Sequence, residues 1–275
     1  MMNYKATIII SVYKNISALR LVLDSLKNQT EKSFEIIISE DGKCSDMQKF
    51  IQEYPFENSY QHVRQEDKGW RKTKALNNSV RHAKSDWLIF IDGDCMLHPR
   101  FVEMHLKYAD ENIVLSGRRL KLDKPTTERL IAQQKISPFG FFTKLFIRHI
   151  SAFSKTQFLE EGFFFPPKSL LHFIAKIRDT NYVLGCNMSL SKKAIYAING
   201  FDESFIEPSV GEDTDIAWRL EAAGYKLKSL RSLAIQYHLF HPQNWTYSQK
   251  NHDIMKNNKL KNRYKCLKGL ELLSN

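Results

Sequence analysis

The residues best placed to do chemistry are Asp92-Gly93-Asp94-Cys95, directly after the apolar run Trp87-Leu88-Ile89-Phe90-Ile91. Two carboxylates one residue apart at a strand end offer a hard divalent cation two oxygen ligands. A cation held there can bridge nucleotide phosphates and take up the charge that develops on a leaving diphosphate. Asp-Gly-Asp also suits an ordinary turn, so the tripeptide alone decides little. A second acidic group, Gly211-Glu212-Asp213-Thr214-Asp215, opens a helical pattern over Asp213–Ala223 that Gly224 ends. A carboxylate there can accept the proton of an attacking hydroxyl. The alternative is an acidic first turn favoured by the helix dipole. His238 and His241 follow the strand-like run Leu230–Tyr237. Neutral imidazole suits Mn2+ as well as carboxylate does.

These groups need strands to carry them. Thr7–Val12, Phe34–Ser39 and Trp87–Ile91 are continuously apolar, as in a parallel sheet covered on both faces. Between them, Ala18–Leu26, Asp46–Tyr54 and Lys72–Ala83 have helical spacing. In such a sheet, ligands bind beyond the carboxyl ends of the strands. Ser11-Val12-Tyr13, Glu40-Asp41-Gly42 and Asp92-Gly93-Asp94 all fall at those ends. Arg71, Lys72 and Lys74 precede or open a helix and can meet a diphosphate, Arg71 as a bidentate fork. Regular order resumes at Tyr182–Asn187, and the chain from Trp245 onward reads as a polar helical tail.

The net charge of +11 is concentrated. Residues 124–179 hold nine Lys/Arg against four Asp/Glu, and residues 243–275 hold seven against two. Nine of the eighteen phenylalanines lie between Phe139 and Phe165, so the first basic segment is also aromatic. Phenylalanines beside Lys144, Arg148 and Lys155 fit either an anionic membrane surface or a small helical subdomain over the cleft. No nucleic-acid motif accompanies the charge. No apolar run approaches the ~20 residues of a spanning helix, and no signal peptide opens the chain. Cys44, Cys95, Cys186 and Cys266 are scattered without a CxxC pair, as expected of reduced thiols in a cytoplasmic protein. Cys95 and Cys186 read as small buried residues that need no chemistry.

The ordered motifs together resemble family 2 glycosyltransferases of the GT-A fold. They are Ile9-Ile10-Ser11-Val12-Tyr13-Lys14-Asn15, Ser39-Glu40-Asp41-Gly42, Gly69–Asn77, Asp92-Gly93-Asp94, Gly185-Cys186-Asn187, Asn199-Gly200-Phe201-Asp202 and Gly211–Asp215. The second half is similar to the carboxyl-terminal part of galactosyltransferase-type enzymes. The resemblance implies an α/β domain over residues 1–242. Its nucleotide-sugar half is 1–120, a Phe-rich helical insert covers 121–180, and an acceptor and catalytic half covers 181–242. A basic helical tail, 243–275, follows.

By the same resemblance Ser11, Tyr13 and Asp41 line the nucleoside pocket, with Arg71, Lys74 and Asp92 on the rest of the donor. Asp94 binds Mn2+ or Mg2+ with His238 or His241, Asp213 is the base, and Glu212 assists or caps the helix. The implied activity is inverting sugar transfer from a nucleotide donor, with UDP favoured. The basic, Phe-rich segment 124–179 suits a bacterial surface glycan or glycolipid acceptor, such as a lipopolysaccharide precursor, reached at the inner face of the membrane. Two other classes stay open: a sugar nucleotidyltransferase, and a non-catalytic binder of anionic lipid or nucleic acid. The nucleotidyltransferase reading lacks the Gly-rich phosphate loop expected where Ser11-Val12-Tyr13-Lys14-Asn15 stands.

Overall fold

The computed structural model describes residues 4–133, 155–177, 182–208, 212–242 and 247–273. Four parallel strands form half of a seven-stranded sheet: β1 (Ala6–Val12), β2 (Phe34–Glu40), β3 (Tyr60–Arg64) and β4 (Trp87–Asp92). Their order is β3-β2-β1-β4, with Ser11 level with both Ser39 and Asp92. Alternate residues of these strands enter two separate cores. Ile8, Ile10, Ile36, Ile38, Ile89 and Ile91 pack with α1 (Ile16–Lys27), α2 (Ser45–Glu53) and α4 (Phe101–Lys107). Ile9, Ile37, Leu88 and Phe90 pack with α3 (Lys72–His82), α7 (Lys192–Ala197) and α8 (Glu212–Ala222). Covering on both faces is why these strands are apolar without alternation.

The other half of the sheet adds β8 (Asn187–Ser191), antiparallel to β4, then β6 (Ile113–Ser116) and β9 (Lys226–Ser229). A second sheet of three short strands has the order β5 (Cys95–Leu97), β10 (Ile235–His238), β7 (Arg118–Lys121). Its register sets His238 opposite Cys95, one residue beyond Asp94. This small sheet therefore delivers a late segment of the chain to the end of β4.

Several boundaries differ from the sequence expectation. The run Tyr182–Asn187 is loop until Asn187, whose side-chain amide donates to the carbonyls of Arg118 and Ala234 and so ties three segments together. In Leu230–Tyr237 the strand starts only at Ile235. Leu230 and Leu233 are buried knobs on a turn closed by the Leu233 N–H to Leu230 carbonyl bond, with Ser232 at φ +59°. Within 121–180 the described elements are α5 (Lys124–Gln133), a 3-10 turn (Leu159–Gly162) and α6 (Leu170–Ile177). Residues 134–154, including Phe139, Lys144 and Arg148, lie outside the described residues.

After residue 242 the chain forms α9 (Gln249–Leu260) and then docks on the domain. Asn199, at φ +61°, bonds through its amide to the Cys266 and Glu271 carbonyls. Arg81 caps the carbonyls of Gly269 and Leu270, and Leu270 is buried in the second core.

Candidate active site

The carboxyl ends of β1, β2 and β4 open into one cavity of about 560 Å³, lined by Ser11, Tyr13, Asp41, Lys72, Asp92, Asp94 and His241 among others. Gly93 makes this convergence possible. Its N–H donates to the Ser11 carbonyl at 2.8 Å, and a Cβ there would stand 2.7 Å from Val12 Cγ1. Only glycine lets the Asp-x-Asp turn lie this close to β1.

On the β2 side, buried Asp41 is held by Gln65 Nε2 and by the Arg71 N–H, both at 2.7 Å. Tyr13 is 53% exposed at the cavity mouth, and its hydroxyl donates to Asp67 at 3.2 Å. Lys14, at φ +56°, reaches that carboxylate at 2.9 Å. The basic segment sorts itself by position. Lys72 lines the cavity and meets Asp92 at 2.9 Å, whereas Arg71 turns its guanidinium to the Glu66 carbonyl and Lys74 is exposed on α3. Neither Arg71 nor Lys74 belongs to the cavity lining.

Asp94 faces two imidazoles. Its carboxylate oxygens lie 3.6 Å from His238 Nε2 and 3.3 Å from His241 Nε2, and those nitrogens are 3.3 Å apart. Burial raises the Asp94 carboxyl, and the neighbouring Asp92 charge adds to the rise. At Asp92 burial opposes ionisation, but the charge and hydrogen bond of Lys72 outweigh it and lower its pKa. Burial, then the charge of Arg119, pushes His238 down to about 3, so its ring is neutral at neutral pH with a lone pair to donate. Oxygen and neutral nitrogen donors converging within these distances fit a divalent cation of the Mn2+ type, and the cation's charge would relieve the carboxylate repulsion.

Asp213 stands half-buried in the first turn of α8 and accepts from the Thr214 N–H at 2.8 Å. It is not part of the cavity lining. Gly211 and the Glu212 side chain lie outside the described residues. Asp215 is fully committed to structure. It pairs with buried Arg219 at 2.6 Å, and Arg219 in turn donates to the Ile198 and Gly200 carbonyls. Trp218 also serves this pair, donating from Nε1 to Asp215 at 3.0 Å.

Sequence reasoning passed over two contributors, Gln65 and Arg119, and did not single out a third, Lys72. Gln65 follows β3, a strand too polar to signal burial. Arg119 lies in β7 and donates to Cys186 Sγ at 2.8 Å. Lys72 was one of three cations within residues 71–74, and only helix phase separates it from Lys74.

Two family models match the chain. The model "Glycosyl transferase family 2" matches residues 7–165, and "N-terminal domain of galactosyltransferase" matches residues 172–242. The fold is that of a GT-A glycosyltransferase domain. The chain belongs to glycosyl transferase family 2. It is similar to a chondroitin synthase of Escherichia coli, 25% identical over 84% of this chain and 34% of the relative. A chondroitin synthase of Pasteurella multocida is 26% identical over 81% of this chain and 23% of the relative. The chain thus spans about a third or less of the length of these relatives.

Among solved structures, a mannosyltransferase from Pyrobaculum calidifontis in complex with GDP-Man and Mn2+ aligns with a TM-score of 0.57 at 14% identity, covering 95% of this chain and 63% of that one. S. aureus TarS in complex with UDP aligns with a TM-score of 0.57 at 14% identity over 86% of this chain and 61% of that one. At that identity the likeness establishes the GT-A fold.

Proposed function

We propose that this domain is a metal-dependent inverting glycosyltransferase that uses a nucleotide sugar, UDP-linked by preference, to extend a bacterial surface glycan or glycolipid. The observation that carries the reading is the meeting of Asp94, His238 and His241 beside Asp92 at the strand ends. Asp41, held rigidly by Gln65 and Arg71, accepts from the base of the nucleoside, while Tyr13 covers it at the mouth. Asp94 with one or both histidines holds Mn2+, or Mg2+ less well. The bound cation supplies charge neutralisation to the departing diphosphate. Lys72, released from Asp92, turns to the phosphates as a point charge. Asp213, in the first turn of α8, takes the acceptor hydroxyl's proton. One carboxylate suffices for inversion, because the leaving group needs no acid of its own. Relatives named chondroitin synthase and neighbours solved with UDP or GDP-Man support this donor class.

The same reading places the domain at the inner face of a membrane. Leu170, Leu171 and Phe173 of α6 are 75%, 54% and 65% exposed, a helix face suited to an acyl boundary beside basic residues. Among the described residues no helix is long and apolar enough to cross a membrane.

The test is UDP release from candidate donors, with and without Mn2+, in wild type and Asp213→Asn. Transfer should require the cation, and the variant should lose about two to four orders of magnitude in kcat with little change in donor affinity. Cation-independent release, or equal losses of binding and rate in the variant, would sink the assignment.

A further inference from the structure

Cys95 has a place that its burial alone does not explain. Its thiol lies 3.5 Å from Asp94 Oδ1, and one ligand atom each from Asp94, Cys95 and His238 fall within 4.8 Å of one another. Three independent backbone constraints produce this. Asp94 ends the turn after β4, Cys95 begins β5, and the β5–β10 register sets His238 opposite Cys95. Cys186 neighbours the same thiol and is engaged by the Arg119 guanidinium at 2.8 Å, and Cys95 is the sulfur grouped with the carboxylate and imidazole.

We propose that Cys95 is a latent third ligand, and that the site binds thiophilic divalent cations such as Zn2+ through Asp94, Cys95 and His238, more tightly than it binds Mn2+. The inference rests on the metal site assigned above and adds to it a donor of a different chemical class. Sulfur, nitrogen and oxygen at ~2.0–2.3 Å from zinc form a tetrahedron with edges of roughly 3.3–3.8 Å, so the observed set must contract by about an ångström. A cavity opening beside Asp94 leaves the fourth position to water or a phosphate oxygen. Ligation breaks the S–H bond, forms the metal–sulfur bond and releases the proton to buffer. Manganese, which favours oxygen and imidazole, leaves the thiol protonated. Zn2+ therefore acts on this enzyme as a tight competitor of its working cation.

Co2+ reports the difference without turnover, because a thiolate ligand adds an intense near-ultraviolet charge-transfer band to its spectrum. The purified full chain, kept reduced, should show that band with one equivalent of Co2+ and lose it on adding one equivalent of Zn2+. Cys95→Ser should abolish the band and weaken Zn2+ at least tenfold, with Mn2+ affinity changed less than threefold. Cys186→Ser should keep it, and Asp94→Ala should lose it. Should Cys95→Ser fail to fold, X-ray absorption of the zinc-bound wild type decides, with one sulfur at ~2.3 Å expected. Cobalt binding without the band, or a zinc shell of oxygen and nitrogen alone, overturns the Cys95 proposal while the Asp94–histidine site stands. No binding of Mn2+, Co2+ or Zn2+ would overturn both.

Discussion

Replacing Gly93 by alanine puts a methyl group 2.7 Å from Val12 Cγ1 and 3.1 Å from the Ser11 carbonyl. Ordinary contact starts near 3.4 Å, so the turn and β1 must separate by about 0.7 Å at that point. Val12 is buried on β1 between neighbours that leave it little room, and overpacking of this size costs ~1–3 kcal/mol. For a chain of this length each kcal/mol moves the melting temperature by roughly 2–4 °C, so a fall of about 2–12 °C is expected. The separation also carries Asp92 and Asp94 away from His238 and His241, and displaced support of this kind weakens a metal by about 10- to 100-fold.

Gly224→Ala supplies the control. Its φ of +91° strains alanine, but nothing lies within 4 Å of the new methyl. It should lose ~1–3 kcal/mol of stability and keep Mn2+ affinity. Calorimetric melting and Mn2+ titration of both variants separate the two effects. Wild-type melting and wild-type affinity in Gly93→Ala would refute the close-approach argument, as would equal loss of affinity in both variants.

Lys72→Met should weaken metal-dependent UDP binding by about tenfold or more, whereas Lys74→Met should change it less than about threefold, both read by titration calorimetry. Asp215→Ala should cost ~3–5 kcal/mol in denaturant unfolding, because it strands the buried Arg219 guanidinium; a loss below ~1 kcal/mol would free Asp215 for a chemical role. His98 is pushed down from 6.5 to about 4, by burial and then Arg100, so the unfolded chain binds the extra proton first. Stability therefore falls as pH drops through that window, and His98→Gln should flatten the fall by up to ~1.4 kcal/mol per pH unit in denaturant titrations.

The sequence made the first half of the fold legible because strands covered on both faces carry unbroken apolar runs, and three of them end in chemistry-bearing turns. The polar β3 and the three- to four-residue pairings of β5, β7 and β9 leave no such trace, since their pairing depends on distant partners. Asp94 and the two histidines were legible as candidates from residue type and position. Their meeting depends on the β5–β10 register, which no local pattern encodes. The segment at 71–74 offered three cations among four residues, and helix phase selects Lys72 for the cavity. Asp215 was indistinguishable from Asp213 by spacing until Arg219 appeared one helical turn below it, the ordinary reach of an i,i+4 pair. The carboxyl-terminal tail read only as a polar helix, and its docking was not legible because its anchors are backbone carbonyls bound by Asn199 and Arg81, a feature that composition does not carry.

Binding of UDP by titration calorimetry, with Mn2+ and with chelator, in wild type and Asp94→Ala, tests the central claim most directly. Wild type should bind UDP at least tenfold more tightly with Mn2+ than in chelator, and Asp94→Ala should bind equally weakly in both. An Asp94→Ala protein that keeps the wild-type Mn2+ enhancement would contradict the account.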